Sequence, residues 1–190
     1  QEALLLIVNA TSFNGFDKDP AKEGKPYKHL ANKRLNRLTR KSYNTLLKAH
    51  IKDYTTYFDR VSLDLGQTAA DISALPTDQQ LLRYTETNEQ NPDLEELYFQ
   101  FGRYLLIACS RTPGVPANLQ GLWNNKTLPP WSSNYTTNIN LEENYWAAEL
   151  TNLSEMHNAL MDFIAAISKT GEQSAKAYYG VQNGWCMGHN

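Results

Sequence analysis

Asn91-Pro92-Asp93-Leu94 is the clearest helix start in this sequence of 190 residues, and the helix that it begins decides the fold class. Asparagine suits the cap position, and proline suits the first helical position because its missing N–H would have no helical partner there. Asp93 adds a negative charge near the positive end of the helix dipole. Apolar residues then recur at helical spacing, at Leu94, Leu97, Tyr98, Phe101, Leu105 and Ala108.

A second stretch near the end of the chain has the same helical spacing. Its apolar positions are Leu153, Met156, Leu160, Phe163, Ile164 and Ile167. Hydrophobic residues make up 41% of the chain, which is enough to build a core around such helices. We therefore expect a mainly α protein.

The region before Gly66 has a different character and divides the chain into three parts. Residues 4–8 form an apolar run that predicts a buried strand, and the turn-rich residues 9–26 complete the end of a β domain. We predict one long half-exposed helix over 27–48 and a short strand over 61–65, so that 27–66 is a linker. Residues 67–190 then form the helical domain. A chain that starts inside a strand is expected to be a piece of something longer.

Charge and cysteine content exclude several classes of function. Eighteen basic and twenty acidic residues give a net charge of -2, which predicts no general attraction to nucleic acid or to anionic lipid. No segment is apolar for long enough to span a membrane. Cys109 and Cys186 lie in apolar surroundings, where two buried thiols are favoured and a disulfide stays open.

Positive charge is concentrated in one early segment that contains Lys25, Lys28, Lys33, Arg34, Arg37, Arg40, Lys41 and Lys48. Both a polyanion site and a solvated helix face are compatible with this pattern. The sequence favours the solvated face, because no glycine-rich phosphate loop and no interleaved aromatic residues accompany the cations.

The long segment 111–140 is the candidate for function, because a stretch of that length without regular structure is unusual between packed helices. It combines tryptophan and tyrosine with many asparagines. Sugars stack their C–H faces on indole rings and pair their hydroxyls with carboxamides, so the composition predicts a carbohydrate site. The alternative is a loop whose asparagines cap turns and whose tryptophans fill a core.

Asn138 and Asn140 favour the carbohydrate site. They flank one apolar residue, Ile139, as in an extended strand, and we expect both side chains to point into one cavity. Two carboxamides that face a pocket cost free energy unless something polar occupies it.

Several motifs, in the same order along the chain, resemble glycoside hydrolase family 95. These are His50-x-x-Asp53-Tyr54, Phe58-x-Arg60-Val61, Leu63-Asp64-Leu65-Gly66, Asn118-Leu119-Gln120-Gly121-x-Trp123, Pro129-Pro130-Trp131, Thr137-Asn138-Ile139-Asn140-x-Glu142-x-Asn144-Tyr145-Trp146 and Gly184-Trp185. The resemblance implies the end of an N-terminal β-sandwich at 1–26, a linker at 27–66 and, at 67–190, the opening helices of a truncated (α/α)6 catalytic barrel.

The resemblance also implies an activity. Members remove terminal α-L-fucose, or in some cases α-L-galactose, from glycans with inversion and without a metal or cofactor. Asn138 and Asn140 match the catalytic asparagines that position the attacking water. We expect five further residues to bind the sugar: Gln120, Trp123, Trp131, Thr136 and Glu142.

Two carboxylates complete the reaction in the family, a general-acid Glu and an Asp, and both follow Asn190 in the family's order. The isolated 190-residue chain is therefore expected to be inactive. Thr136 replaces a histidine found in several fucosidases, which predicts that L-galactose is tolerated. A glycan substrate implies a periplasmic or extracellular location. The alternative function is a non-catalytic carbohydrate-binding module or a helical scaffold.

Overall fold

A computed structural model describes residues 3–189, and within that range the chain is mainly helical and forms no β-strand. The expected fold class is thus confirmed at the level of helix content. The chain divides into two compact units, Gln1–Thr55 and Thr56–Asn190. None of the helices between residues 3 and 189 is long and apolar enough to cross a bilayer.

The strand predicted over 4–8 is wrong. These residues are irregular, and the side chains of Leu5 and Ile7 are each 81% exposed. A strand is stable only when its backbone pairs with a neighbouring strand, and no such partner exists within the described residues. The apolar run in the sequence gives no information about whether a partner strand is present.

The single helix predicted over 27–48 is in fact two helices, α1 (Tyr27–Leu38) and α2 (Tyr43–Phe58). Ser42 separates them by starting the second one. Its hydroxyl accepts a hydrogen bond from the backbone N–H of Thr45 at 3.2 Å, which is the usual role of an N-cap serine. Ser42 is therefore a local signal in the sequence for the start of α2.

The second unit contains α3 (Ala70–Ser73), α4 (Thr77–Thr87), α5 (Pro92–Cys109), α6 (Ile139–Leu150) and α7 (His157–Tyr179). The predicted start of α5 is confirmed. The fully buried Asn91 side chain accepts hydrogen bonds from the N–H of Leu94 at 3.0 Å and from the hydroxyl of Thr68 at 2.9 Å. Its amide donates to the Gln80 side chain, so the cap also joins α4 to α5.

The strand predicted over 61–65 is also wrong, because side chains of α5 use its backbone instead of a neighbouring strand. The Val61 carbonyl accepts hydrogen bonds from Gln100 and from Arg103. Arg103 is only 2% exposed, and it also donates to the carbonyls of Tyr57 and Phe58 at the end of α2. One buried guanidinium therefore fixes the chain that precedes the helical core.

The core lies between α5, α6 and α7. In the last predicted stretch, Leu153, Met156 and Leu160 are buried as the sequence spacing predicted. The apolar face predicted for α5 is wrong: Leu97, Tyr98, Phe101 and Leu105 are exposed, whereas Leu106, Ile107 and Cys109 are buried, because apolar residues occur on both sides of this helix and their spacing does not select the side that packs.

The most deeply buried apolar residues are Ile107, Leu141, Tyr145, Ala148, Leu153, Met156 and Ala159. Complete burial of each large apolar side chain contributes roughly 1.5–3 kcal/mol. Cys109 is buried, Cys186 is half-buried, and both are free thiols. Burial raises the pKa of Cys109, so its thiol stays protonated and inert.

Candidate functional site

The irregular segment predicted over 111–140 is confirmed, apart from a 3-10 turn at Pro130–Ser133 and from residues 139–140, which already belong to α6. It contains a tight turn at Asn118–Gly121, in which the backbones of these two residues exchange hydrogen bonds at 2.9 and 3.3 Å. Gly121 has φ +68°, a conformation that glycine adopts without strain. The Asn118 side chain accepts from the N–H of Gln120, and this bond fixes the half-buried Gln120 at the tip of the turn.

Tyr145 on α6 holds this segment in place. Its side chain is 1% exposed, and its hydroxyl lies 2.8 Å from the N–H of Ala117 and 2.9 Å from the hydroxyl of Ser110. Burial raises the pKa of Tyr145, so it remains a neutral hydroxyl that both accepts and donates. The neighbouring Asn144 amide donates to the Ala117 carbonyl at 3.4 Å. The turn that carries Gln120 is therefore tied to α6.

Asn138 and Asn140 lie at the first turn of α6, and the extended geometry predicted for them is wrong. Asn138 is the N-cap residue, and Asn140 is already inside the helix. Positions two apart on a helix do not share a face, so the argument that both side chains point the same way fails. Both residues are exposed. Asn138 makes no capping hydrogen bond with its side chain, which leaves the carboxamide uncommitted to the helix.

Thr136 precedes this helix start in a strained conformation. Its φ is +48°, which is a genuine outlier for a β-branched residue, and its side chain is buried. Its hydroxyl donates to the Asn134 side chain, and its carbonyl accepts from the N–H of Leu141 at 3.1 Å. Strain of this kind persists only where the surrounding contacts enforce it, and it is concentrated at functional sites.

Thr137 connects the start of α6 to the C-terminal segment through two hydrogen bonds. Its N–H donates to the carbonyl of His189 at 2.8 Å, and its hydroxyl donates to the carbonyl of Gly188. The C-terminal segment in turn rests on α7, where the N–H of Cys186 donates to the Gly171 carbonyl at 3.1 Å. Thr137 is therefore bound to a segment 51 residues away in the sequence.

Neither the two tryptophans of the segment nor Trp146 on α6 fills a core, which removes one part of the alternative interpretation. Trp123, Trp131 and Trp146 are 60%, 76% and 60% exposed. Trp131 has φ +53° and heads a run of three left-handed residues that ends at Ser133. Glu142 is exposed in the first turn of α6. Exposed indole rings beside carboxamides are a surface on which sugars can stack.

The candidate residues fall into two groups. Thr136, Asn138, Asn140 and Glu142 are brought together at the start of α6, and Gln120 is linked to the same helix through its turn. Trp123 and Trp131 belong to the same irregular segment, but within residues 3–189 no hydrogen bond joins them to the asparagines.

Comparison with known proteins shows the family of this chain. The model of the glycosyl hydrolase family 95 catalytic domain matches residues 42–190. The chain belongs to glycoside hydrolase family 95. The match covers the whole of the candidate site, from the Asn118 turn to the first turn of α6.

Named relatives of this family-95 chain are fucosidases. It is similar to alpha-L-fucosidase 2 of Arabidopsis thaliana, with 36% identity over 96% of this chain and 22% of the relative. It is also similar to the probable alpha-fucosidase A of Aspergillus niger, with 37% identity over 77% of this chain and 18% of the relative. The chain thus spans about a fifth of the length of these relatives.

Sequence reasoning missed the buried residues that support the candidate site. Tyr145 was noted only as part of a motif, although Leu141, Tyr145 and Ala148 are spaced as one buried helix face. That spacing could have identified Tyr145 as a core residue with a polar tip. The links to Ser110 and Ala117, and from Thr137 to His189, leave no signal in the sequence because their partners are distant.

Proposed function

We propose that the protein is an exo-acting glycoside hydrolase that removes terminal α-L-fucose or α-L-galactose from glycans with inversion of configuration. One structural observation supports this beyond family membership. Asn138 stands at a helix start without capping it, and its exposed carboxamide remains available for a ligand. A substrate of this kind agrees with a periplasmic or extracellular location.

Inversion requires an acid for the leaving oxygen and a base for water on the opposite face of the sugar. In our proposal Asn138 and Asn140 hold the attacking water, and an Asp elsewhere in the full-length protein accepts its proton. A Glu, also elsewhere, protonates the oxygen of the breaking glycosidic bond. Glu142 supports the asparagine pair and is not assigned the role of the acid.

The proposal gives the other candidate residues binding roles. Gln120 offers a carboxamide from a turn that Tyr145 and Asn144 fix in place, and Trp123 and Trp131 offer stacking faces. Thr136 adjusts the space around C6 of the sugar, where L-galactose has a hydroxyl that L-fucose lacks. Because threonine is smaller than histidine, its side chain leaves more room for that extra hydroxyl.

Proton NMR of the reaction of the full-length protein with nitrophenyl α-L-fucoside tests the proposal. We expect the β-anomer of fucose to form first, and the α-anomer as first product would contradict inversion. Binding of the sugar without any hydrolysis would favour the non-catalytic carbohydrate-binding alternative. The 190-residue chain alone is expected to release no sugar.

The role of Thr136 has its own test. We expect the full-length protein to hydrolyse nitrophenyl α-L-galactoside, and Thr136→His to lower kcat/KM for this substrate more than for the fucoside. A strong preference for fucose that the substitution leaves unchanged would remove Thr136 from the specificity-determining residues.

A further inference from the structure

A shallow groove lined by polar side chains, whose aliphatic stems make up most of its surface, follows one face of α1 and the residues just after it in the first unit of the chain. His29, Asn32, Lys33, Asn36, Arg37 and Arg40 line it, and its volume is about 330 Å³. These positions recur at intervals of three or four residues, so they form one continuous stripe. At the rise of an α-helix the stripe is about 16 Å long, which is the scale of several sugar rings.

Within residues 3–189, no acidic side chain neutralises the positive charge of this groove. Residues 24–52 contain nine lysines and arginines and no aspartate or glutamate. Within the described part of the chain, Lys33, Arg37 and Arg40 take part in no salt bridge. None of the residues of α1 is buried, so these cations do not take part in core packing either.

Clustered charges of one sign work against the helix that carries them. Lys33 and Arg37 are four residues apart, and like charges at that spacing destabilise a helix. A solvated face requires no such cluster, because alternating charges would keep it equally soluble. The uncompensated repulsion is explained if an anionic ligand relieves it.

We propose that this stripe binds an acidic polysaccharide, a polymer with carboxylate or sulfate groups along its chain. The cations alternate with the carboxamides of Asn32 and Asn36, which suit the hydroxyls between the anionic groups. Arginine pairs with carboxylate or sulfate through two parallel hydrogen bonds. No aromatic residue lines the groove apart from His29, so it lacks the stacking platform of a single-stranded nucleic-acid site.

The choice of a polysaccharide over other polyanions rests on the proposed function, since a glycosidase acts on sugars. Binding of the polymer by α1 would keep the enzyme close to the terminal sugars that it removes. A second contact with the same polymer raises the effective concentration of substrate without any change in the catalytic residues.

Direct binding measurements on the full-length protein test this proposal separately from hydrolysis. The probes are polygalacturonate, dextran sulfate, neutral dextran, duplex DNA and anionic lipid vesicles, each at low and high salt. We expect binding to one or both acidic polysaccharides, weaker binding at high salt and none to dextran. The preferred polysaccharide identifies whether the anionic group is carboxylate or sulfate.

The double variant Arg37→Ala/Arg40→Ala should weaken that binding at least about tenfold, since the loss of even one of its two charge-assisted contacts has an effect of that size. Lys169→Ala/Lys176→Ala removes two exposed cations of α7, in the second unit and outside the candidate site, and is the matched control. The corresponding Arg37→Gln/Arg40→Gln variant preserves polarity and serves if the alanine variant does not fold.

Hydrolysis of nitrophenyl α-L-fucoside is expected to be the same in all these variants. If the wild-type protein does not hydrolyse it, the proposed function fails while the binding result still stands. The groove proposal is overturned by equal losses of binding in the test and control variants, by failure to bind either polysaccharide, or by tighter binding to DNA or vesicles.

Discussion

At the scale of single residues, the hydroxyl of Tyr145 connects the two halves of the candidate site. It binds the N–H of Ala117, which precedes the Gln120 turn, and the hydroxyl of Ser110 at the end of α5. The aromatic ring meanwhile belongs to the hydrophobic core, where it stacks on His157 with ring centroids 5.8 Å apart. Because the ring of Tyr145 packs in the core while its hydroxyl binds Ala117, the core fixes the position of the turn that carries Gln120.

Tyr145→Phe should lower the free energy of unfolding by about 1–3 kcal/mol, because it leaves a buried N–H without a partner. Tyr135→Phe is the control. Tyr135 is half-buried and packs on Phe163, but its hydroxyl has no hydrogen-bond partner within residues 3–189. Urea unfolding measures both variants, and equal losses would show that the Tyr145 hydroxyl has no special role.

For Asn138 and Asn140, the sequence predicted the family correctly and the local geometry incorrectly. The motif around Asn138 and Asn140 identified the family, because the residues of the motif are adjacent in the sequence. The predicted direction of their side chains was wrong. One apolar residue between two polar residues occurs both in a strand and in the first turn of a helix, so the pattern does not distinguish them. The helix is set by the burial of Leu141 and Tyr145, which the tripeptide does not contain.

At the scale of secondary-structure elements, α7 supports the C-terminal segment that holds Thr137. Gly171 makes the close approach possible. A Cβ at this position would lie 2.8 Å from the carbonyl oxygen of Cys186 and 3.1 Å from the indole of Trp185. The segment then reaches the start of α6 through the two hydrogen bonds of Thr137 to Gly188 and His189.

Gly171→Ala should therefore displace the segment at 184–189 and lower kcat/KM of the full-length protein, although alanine favours a helix. The matched control is Gly102→Ala in α5, where a Cβ meets nothing within 4 Å. That change should raise stability by roughly 0.5–1 kcal/mol and leave activity unchanged. Thermal unfolding and hydrolysis rates measure the pair, and similar behaviour of both variants would contradict the close-packing argument.

Elements with local signals were predictable, and elements that depend on distant partners were not. The start of α5 is specified by Asn91 and Pro92, which interact with their own helix. The two predicted strands lack pairing partners in the described residues, and around Val61 side chains of α5 bind the backbone instead. The break between α1 and α2 did have a local cause, the capping hydroxyl of Ser42.

At the scale of the whole molecule, one ion pair joins parts of the second unit that are far apart in sequence. Arg60, just after α2, makes two parallel hydrogen bonds of 2.8 Å to the carboxylate of Glu155. Arg60 also donates to the carbonyl of Asn152. The bonds from Arg60 lower the pKa of Glu155 below its ordinary value of 4.5.

This lowered pKa predicts how stability depends on pH. A carboxyl whose pKa is lower in the folded state contributes stability above its unfolded pKa and loses it as pH falls through the folded pKa. The Glu155 contribution is therefore present at neutral pH and disappears progressively below about pH 4.5.

Glu155→Gln should be less stable than the wild type at neutral pH, with a difference that shrinks in acid. Glu172→Gln, at an exposed position of α7, is the control and should show little difference at either pH. Urea unfolding at a series of pH values measures both, and a Glu155→Gln deficit that does not change with pH would contradict the ion-pair explanation.

The length of the chain relative to its relatives determines which protein the central test requires. The chain spans about a fifth of its fucosidase relatives, so catalysis is a property to be measured on the full-length protein. The central claim is that Asn138 and Asn140 position the attacking water at the start of α6. Their side chains are exposed and lie outside the core, so substitution should leave the fold intact.

The most direct measurement is kcat for nitrophenyl α-L-fucoside in Asn138→Ala, Asn140→Ala and the control Asn158→Ala, an exposed asparagine on α7. We expect the first two to lower kcat by roughly 10²–10⁴-fold, the usual contribution of general acid–base catalysis, while KM and the unfolding midpoint change little. Asn158→Ala should match the wild type. Values of kcat for Asn138→Ala and Asn140→Ala that stay close to that of Asn158→Ala would contradict the claim.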